Sequence, residues 1–346
     1  MSKFGFWFMN ARPQALPQSV IPGIVAACMA FAANRQTMAD AAAQDGGFTK
    51  YIIAAVALLG IVFAHLSVDL LDDYFDYRNA GIDARERLNR AGMRARLGKA
   101  PYLADGKASL KQTFGVAALL GGLALVCGGI VFAYRGWPIV WFVAAGAFLG
   151  FFYSAPPFKL CYHGLGELLT AIMFGPLLMA GMYYAICGRL AASIGWVSTA
   201  IGLLVGNILY THSVMDRLPD ISVGKTTLAV LVSPDSKPAR KPLFAISCIF
   251  NFLPYAVIAA GVAFGHLNVW MLLAMTAFPM SLSLAREMYN FLYHPEEKAV
   301  RRWWMGPMSQ WTAIEKAGLQ WFMLRWYLAR NSLSLVAIMI AIASFM

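Results

Sequence analysis

Residues 51–78 read YIIAAVALLGIVFAHLSVDLLDDYFDYR, a largely apolar run that changes into a cluster of carboxylates at its end. The run over 51–75 exceeds the about 20 residues that a helix needs to cross a bilayer. On a helix, Asp69, Asp73 and Asp76 fall at i, i+4 and i+7 and share one face. Like charges at this spacing repel one another, and carboxylates near a bilayer are costly. The stretch therefore predicts a membrane helix whose carboxylate end is offset by cationic groups.

The same pattern extends along the whole 346-residue chain, in which 60% of residues are apolar and 13% are charged. Soluble proteins average roughly 45–50% apolar and 25% charged residues, so the composition excludes an ordinary water-soluble globule. Apolar windows predict about nine spans, at 16–33, 51–75, 112–133, 138–156, 165–187, 195–214, 243–264, 269–292 and 325–345. The fold class expected is all-α, a multi-spanning bundle of about nine transmembrane helices around a central cavity. We expect one domain over 1–346.

The net charge of +11 is distributed unevenly between the two predicted sides of the membrane. One side holds the N-terminus and the segments 76–111, 157–164, 215–242 and 293–324, which contain most of the lysines and arginines. The opposite loops show only Arg35, Lys50, Arg135 and Arg189. The positive-inside rule makes the crowded side cytoplasmic and the cavity open there. We expect a bacterial inner-membrane protein that contacts lipid, with a basic charge that marks orientation rather than nucleic-acid binding.

A second acidic cluster follows the sixth predicted span, on the same side as the first. It contains Asp216 and Asp220. Two carboxylate clusters facing one cavity suit paired magnesium ions, which take few protein carboxylates each and complete their shells with water and substrate phosphates. The alternative is that these acids are helix-end residues paired with loop arginines. For Asp72 and Asp83 that alternative stays open.

Four segments of the chain resemble the UbiA superfamily of intramembrane prenyltransferases, with acidic motifs after the second and sixth helices. The likeness is carried by Ala11-Arg12-Pro13 with Ile21-Pro22-Gly23, by Asp73-Tyr74-Phe75-Asp76-Tyr77, by Tyr153-Ser154-Ala155-Pro156-Pro157 with Gly164-Leu165-Gly166-Glu167, and by Asp216 to Asp220 with Gly224-Lys225-Thr226-Thr227-Leu228-Ala229-Val230. Within the superfamily, these segments are most similar to the enzymes that prenylate 1,4-dihydroxy-2-naphthoate in menaquinone synthesis. The last third of the chain contributes only the pattern of spans.

This resemblance implies magnesium-dependent transfer of a polyprenyl group from polyprenyl diphosphate to an aromatic acceptor. The expected magnesium ligands are Asp69, Asp73, Asp76, Asp216 and Asp220. The cationic candidates for binding the diphosphate are Arg12, Arg78, Lys159 and Lys225, since lysine and arginine stabilise developing phosphate charge. Tyr153 offers an aromatic face to an allylic cation. His212 is a candidate base for the acceptor hydroxyl, with a hydrogen-bonded structural role as its alternative.

Several departures from the superfamily pattern bear on the acceptor. Asp69 and Asp72 stand where asparagines are usual, and His212-Ser213 replaces an Asn-Asn pair. Other acceptors therefore remain open, namely a hydroxybenzoate, haem, chlorophyllide or a glycerol-phosphate lipid. An ion- or proton-coupled transporter is the rival from another class, because intramembrane carboxylates suit it equally. Both clusters lie at one membrane face, which favours an enzyme cavity. We interpret residues 294–320, with Trp303, as an interfacial helix or loop.

Overall fold

The computed structural model describes residues 2–38, 47–80, 101–222 and 224–346. Its α-helices are α1 (Lys3–Asn10), α2 (Pro17–Met38), α3 (Gly47–Ala80), α4 (Pro101–Ala104), α5 (Leu110–Arg135), α6 (Pro138–Phe152), α7 (Gly166–Ile172), α8 (Leu178–Cys187), α9 (Ala192–Met215), α10 (Arg217–Ser222), α11 (Leu228–Val232), α12 (Arg240–Ala263), α13 (Phe278–Tyr293), α14 (Trp311–Lys316) and α15 (Gln320–Ala343). A π-helical segment, Met173–Leu177, joins α7 to α8, and 3₁₀ turns lie at Pro13–Ala15, Leu160–Tyr162, Val269–Ala277 and Trp303–Met305. The described chain has no strand, only the isolated bridge between His163 and Thr226. The predicted all-α class is confirmed. Asp83 lies outside the described residues.

Eight helical stretches among the described residues are long and apolar enough to span a membrane. They are Pro17–Arg35, Phe48–Arg78, Leu110–Arg135, Gly166–Cys187, Ala192–Met215, Arg240–Ala263, Val269–Tyr293 and Gln320–Ala343. The segment predicted as a span over 138–156 forms the shorter helix α6, of 15 residues. The bundle agrees with a multi-spanning protein, while the count of nine and the orientation stay predictions.

Two glycines let α9 pack closely against the α7–α8 unit. A Cβ atom at Gly175 would lie 2.4 Å from the carbonyl oxygen of Ser198, and one at Gly202 would lie 2.3 Å from that of Ala171. Pro176 follows Gly175 within the π-helical segment, where it interrupts the regular hydrogen-bond ladder. The close crossing fixes the start of α7 beside the end of α9.

Helix α9 lies at the centre of the main hydrophobic core, where it packs against α2, α8, α12 and α15. On the other side of the bundle, α3 packs along α5, and α6 covers part of α5. Large apolar side chains such as Leu119, Val126 and Trp141 remain exposed on these outer helices, as a lipid-facing surface requires. Between the two parts of the bundle the helices do not fill the space completely, and a cavity results.

The segment between α13 and α15 is packed against the bundle by buried contacts. Asn331, inside α15, donates hydrogen bonds from Nδ2 to the carbonyl oxygens of Met305 (2.9 Å) and Pro307 (3.1 Å). Met305 and Met308 are buried, whereas Trp303 is 87% exposed. The segment therefore supports α15 on one side and exposes a tryptophan of the kind found at membrane interfaces on the other.

Candidate active site

A cavity of about 1040 Å³ reaches the end of the bundle where both aspartate clusters lie, which we call the acidic end. Among the predicted site residues, those that line it are Arg12, Asp69, Tyr153, His212, Asp216, Asp220 and Lys225. Asp73, Asp76, Arg78 and Lys159 are not part of its wall. The structure thus brings the two clusters to one cavity, from α3 on one side and from α9 and α10 on the other.

Arg12 joins the N-terminal segment to the carboxylates of α3. Its Nη1 lies 3.4 Å from Asp72 Oδ2, and its Nη2 contacts Asp73 Oδ1. Burial alone would lower the pKa of Arg12, but the carboxylates of Asp69 and Asp72 outweigh it and raise that pKa above its ordinary value. Tyr102 Oη donates to Asp73 Oδ2 at 3.4 Å from the other side. Asp73 is therefore held behind Arg12 at the cavity edge.

Asp72, for which the sequence left two roles open, faces the cavity and also pairs with Arg12, so the structure agrees with either role. It is buried, lines the cavity and accepts a hydrogen bond of 2.6 Å from Ser154 Oγ. Ser154 belongs to the Tyr153–Pro157 turn after α6. The contact therefore joins the turn that follows α6 to the residue directly before the Asp73–Tyr77 segment, and it gives the hydroxyl after Tyr153 a partner.

Asp76 and Lys225 form the contact between the first cluster and the loop after α10. Lys225 Nζ lies 3.5 Å from Asp76 Oδ2, and Tyr162 Oη donates to Asp76 Oδ1 at 2.6 Å. Lys225 Nζ also lies 5.1 Å from the centroid of the Tyr162 ring. Burial alone would lower the pKa of Lys225, but Asp76 and the other nearby carboxylates raise it well above its ordinary value. Lys225 therefore presents a fixed positive charge to the cavity.

The loop that carries Lys225 is fixed by its neighbours. Gly164 donates its backbone N–H to the carbonyl oxygen of Thr226 at 2.6 Å. Glu167, buried at the start of α7, accepts the backbone N–H of Leu228 with both carboxylate oxygens, each at 3.2 Å. Leu228 begins α11, so Glu167 occupies the place of an anion at a helix N-terminus. Through these contacts Glu167 holds the Lys225 loop against the start of α7.

The second cluster presents its carboxylates at the turn between α9 and α10. Asp216 Oδ1 is buried and has no hydrogen-bond partner among the described residues. Asp220 is buried and lines the cavity, and its carbonyl oxygen accepts the backbone N–H of Lys225 at 2.9 Å. Arg217 points away and donates to the carbonyl oxygens of Ser233 (2.7 Å) and Ser236 (2.9 Å). Asp216 Oδ1 is therefore an oxygen that could serve as a metal ligand, because no described residue donates a hydrogen bond to it.

The donor set fits magnesium held jointly by protein and phosphate. Within the described ranges, no group of three or more His, Cys, Asp or Glu side chains is arranged to hold a metal by itself. Magnesium commonly uses one or two carboxylates and takes its remaining ligands from water and substrate phosphates. The buried oxygen of Asp216, facing a cavity that α3 carboxylates line on the other side, matches that mode of binding.

The remaining predicted residues, Arg78, Lys159 and Tyr153, differ in their position relative to the cavity. Arg78 is exposed at the end of α3. Lys159 adopts a left-handed backbone conformation (φ 41°), and its Nζ lies 6.0 Å from the Tyr162 ring. Tyr153 lines the cavity, and burial raises its pKa well above the ordinary value, so the phenol keeps its proton. The structure thus brings Tyr153 to the site and leaves Arg78 and Lys159 outside its wall.

The sequence did not indicate two further groups of cavity residues. His65 lies one helical turn before Asp69 on α3, and its Nε2 is 3.4 Å from Asp69 Oδ2. Its Nδ1 lies 2.6 Å from Ser19 Oγ of α2. Phe322 and Trp326 of α15 line the cavity near His212, whose ring centroid lies 4.8 Å from that of Phe322. A histidine four residues before Asp69 was the available signal for the first group. No comparable signal distinguishes Phe322 from the other aromatic residues of an apolar helix.

Beyond the acidic end, the cavity continues between the helices as an apolar arm. Its wall on α3 extends from Asp72 back to Ala57, a helical distance of about 22 Å. Along α5 the wall contains small and aliphatic residues, among them Gly121, Leu125 and Val131. The cavity thus joins a polar, charged end to a long apolar interior, as an amphiphilic substrate requires.

Comparisons with known proteins agree with this architecture. A family model described as the UbiA prenyltransferase family matches residues 20–312. A 2-carboxy-1,4-naphthoquinone phytyltransferase from Synechocystis sp. is 26% identical over 84% of this chain and 85% of its own. A 1,4-dihydroxy-2-naphthoate octaprenyltransferase from Mycobacterium tuberculosis is 26% identical over 82% and 86%. A UbiA homologue from Archaeoglobus fulgidus, solved bound to DMAPP and Mg2+, shares the fold with a TM-score of 0.55 at 13% identity, covering 95% of this chain and 98% of its own.

Proposed function

The chain belongs to the UbiA prenyltransferase family, and from that premise we propose that it transfers a polyprenyl group from polyprenyl diphosphate to a small aromatic acceptor. The proposed acceptor is 1,4-dihydroxy-2-naphthoate or a related quinone precursor, since two relatives are named for a naphthoquinone and a naphthoate acceptor. The observation that carries the proposal is the single cavity that joins both aspartate clusters and Lys225 to the apolar arm. We assign the activity to one domain over 1–346.

The acidic end suits the diphosphate. Magnesium accompanies DMAPP and GPP in the solved Archaeoglobus fulgidus homologue, and we propose the same metal here. Asp69, Asp73, Asp76, Asp216 and Asp220 are the proposed ligands. When bound, magnesium neutralises charge on the leaving diphosphate.

The four cationic residues divide into two that lie at the cavity and two that lie outside its wall. Lys225 lines the cavity with a raised pKa, and Arg12 spans Asp72 and Asp73, so both are placed to donate to phosphate oxygens. We propose Arg78 and Lys159 as rim residues that attract the diphosphate before it enters. Such electrostatic attraction acts over about 8–10 Å at physiological salt.

The apolar arm suits the prenyl chain. Each CH₂ group moved from water to an apolar environment contributes about 0.8 kcal/mol, so a long chain binds chiefly through this arm. We propose that the first prenyl carbon, C1, lies at the Asp72 end of the arm, in the cavity that Tyr153 and His212 also line. The substrate is thereby aligned with its reacting carbon at the boundary between the two regions.

The proposed reaction breaks the C1–O bond, and the bonding electron pair leaves with the diphosphate. A ring carbon of the acceptor forms the new bond to C1 and then loses either its proton, to the released diphosphate, or its carboxyl group, as CO₂. The Tyr153 ring stabilises positive charge that develops on the allyl group. His212 takes the acceptor hydroxyl proton, which makes the ring carbon more nucleophilic. The apolar side chains along much of the cavity wall limit the water that would otherwise trap the allylic cation.

We propose that the acidic end faces the cytoplasm and that the protein resides in a bacterial inner membrane. The excess of basic residues on the predicted cytoplasmic side supports this orientation. A cysteine introduced at the exposed Lys237, beyond α11, would react with an impermeant thiol reagent only in inside-out vesicles. Reaction in right-side-out vesicles would reverse the orientation.

The function is tested with purified protein, labelled polyprenyl diphosphate, magnesium and a panel of acceptors. The panel contains 1,4-dihydroxy-2-naphthoate, 4-hydroxybenzoate, haem, chlorophyllide and a glycerol phosphate lipid. We expect a prenylated product with the naphthoate. Product with another acceptor alone would overturn the acceptor assignment, and absence of product with all of them would overturn the prenyltransferase proposal.

A further inference from the structure

The first two turns of α15 form a largely aromatic wall of the cavity. The proposed reaction gives this wall no role. Phe322, Met323 and Trp326 all line the cavity, and Phe322 and Trp326 are buried. They occupy one face of the helix, because positions i, i+1 and i+4 lie close together around a helical turn. The residues come from the last third of the chain, where the sequence shows only the pattern of a membrane span.

This wall faces α9 at the level of the second acidic cluster. The rings of His212 and Phe322 have centroids 4.8 Å apart and an interplanar angle of 38°. Asp216 donates its backbone N–H to the carbonyl oxygen of His212 at 2.8 Å, so His212 lies one helical turn, about 6 Å, from Asp216. A planar molecule against Phe322 and Trp326 would therefore lie next to a diphosphate held at Asp216.

The wall is held in place from outside the cavity. Arg325, between Phe322 and Trp326 in sequence, is buried and points toward α13, where its Nε donates to the carbonyl oxygen of Glu287 at 2.8 Å. Its Nη2 lies 3.4 Å from Glu287 Oε2. Asn331 fixes the same helix to the segment before α14 through Met305 and Pro307. The wall is thus a preformed surface, which favours binding of a rigid ligand.

We infer that Phe322, Met323 and Trp326, with His212, form the subsite for a flat aromatic acceptor. This inference rests on the proposed prenyl transfer and adds the location of the acceptor. Aromatic rings prefer offset or edge-to-face contact with other rings, whereas a flexible prenyl chain is accommodated by the small and aliphatic residues of the α3 and α5 walls. The acceptor thus lies beside α15, and the prenyl chain extends along α3 and α5.

The experiment compares Phe322→Leu, Phe322→Tyr and the parent protein. Leucine keeps an apolar side chain and removes the ring, so we expect the acceptor KM to rise about tenfold while the KM for polyprenyl diphosphate stays unchanged. Tyrosine keeps the ring and should restore a parent-like acceptor KM. Trp321→Leu is the matched control, because Trp321 lies on the same helix, stacks on Phe291 and does not line this cavity.

Diphosphate release without acceptor provides the second readout. We expect Phe322→Leu to release diphosphate at the parent rate, because the ring contacts the acceptor and not the ionising prenyl group. A slower release, or an unchanged acceptor KM in Phe322→Leu, would overturn the subsite. Both outcomes are read against a parent protein that transfers prenyl groups. If the parent protein transfers no prenyl group to any acceptor, the result contradicts the proposed function and not the subsite. Thermal unfolding in detergent, with Phe322→Tyr as the second variant, separates these effects from misfolding.

Discussion

Ser154 Oγ donates a 2.6 Å hydrogen bond to Asp72 Oδ1, which fixes the turn after α6 to the carboxylate end of α3. Both residues are buried, so the bond orders Asp72 in a region with little water. Asp72 also lies 3.4 Å from Arg12. The contact therefore connects three chain segments at the place where the diphosphate is proposed to bind.

Removal of this hydroxyl by Ser154→Ala should lower the free energy of unfolding by about 1–3 kcal/mol, because a buried carboxylate oxygen loses its donor. Turnover should fall as well, since Asp72 and Arg12 lose their fixed geometry. Chemical denaturation in detergent and the prenyl transfer assay measure the two effects. Ser334→Ala is the control, because its hydroxyl donates to the carbonyl oxygen of Arg330 within its own helix. Equal stability of the two variants would contradict the assigned contact.

Lys225 supplies the fixed positive charge at the cavity. Lys225→Met should lower kcat/KM for polyprenyl diphosphate by about 100-fold, as expected for loss of a donor to developing phosphate charge. Lys225→Arg should recover part of the activity, because the guanidinium keeps the charge but changes the geometry. The exposed Lys237→Met is the matched control. A Lys225→Met protein with parent-like kinetics would remove Lys225 from the site.

The close crossing of α9 and α7 predicts a steric effect on stability. Gly202→Ala places a Cβ atom 2.3 Å from the carbonyl oxygen of Ala171, and backbone must shift to accommodate it. We expect a loss of about 1–3 kcal/mol in the free energy of unfolding, measured by denaturation in detergent. Gly195→Ala, in the same helix with open space around its Cβ position, should be neutral or stabilising by up to about 1 kcal/mol. The reverse order would show that the two helices do not cross here.

Cys161 is a buried residue of the cavity wall, and burial raises the pKa of its thiol to about 12, from an ordinary value of 9.0. The thiol should therefore resist iodoacetamide in the folded protein and react after denaturation, as followed by mass spectrometry of the Cys161 peptide. Because the pKa is higher in the folded state, the contribution of Cys161 to stability is complete below pH 9.0 and is lost as pH rises toward about 12. Rapid alkylation of folded protein at neutral pH would contradict this burial.

The sequence was sufficient to predict the membrane helices and the two aspartate clusters, because both follow from local patterns of hydropathy and spacing. The convergence of Asp69, Asp72, Asp216 and Asp220 on one cavity agrees with their predicted location on one side of the membrane. The sequence was insufficient to predict contacts between distant segments. Ser19 meets His65 and Phe322 meets His212 only because particular helix faces pack together, and an apolar helix carries no sequence mark of which face lines a cavity.

The same limit applies to Lys159, Arg78 and Lys225, which the sequence predicts alike as cations that bind the diphosphate. All three lie close in sequence to segments that resemble the family, but only Lys225 is directed into the cavity, by the hydrogen bonds of Gly164 and Glu167 to its loop. Sequence proximity places a side chain near a site, and the backbone contacts of its loop decide whether it enters.

The most direct test of the central claim is single-turnover prenyl transfer at limiting magnesium by Asp76→Asn and Asp220→Asn. Each substitution keeps the shape of the side chain and removes a charge from one cluster. We predict that each lowers the rate about 100-fold or more while the melting temperature stays close to that of the parent. Asp105→Asn, at an exposed position, should retain full activity. Parent-like turnover in both cluster variants at limiting magnesium would contradict a two-cluster metal and diphosphate site.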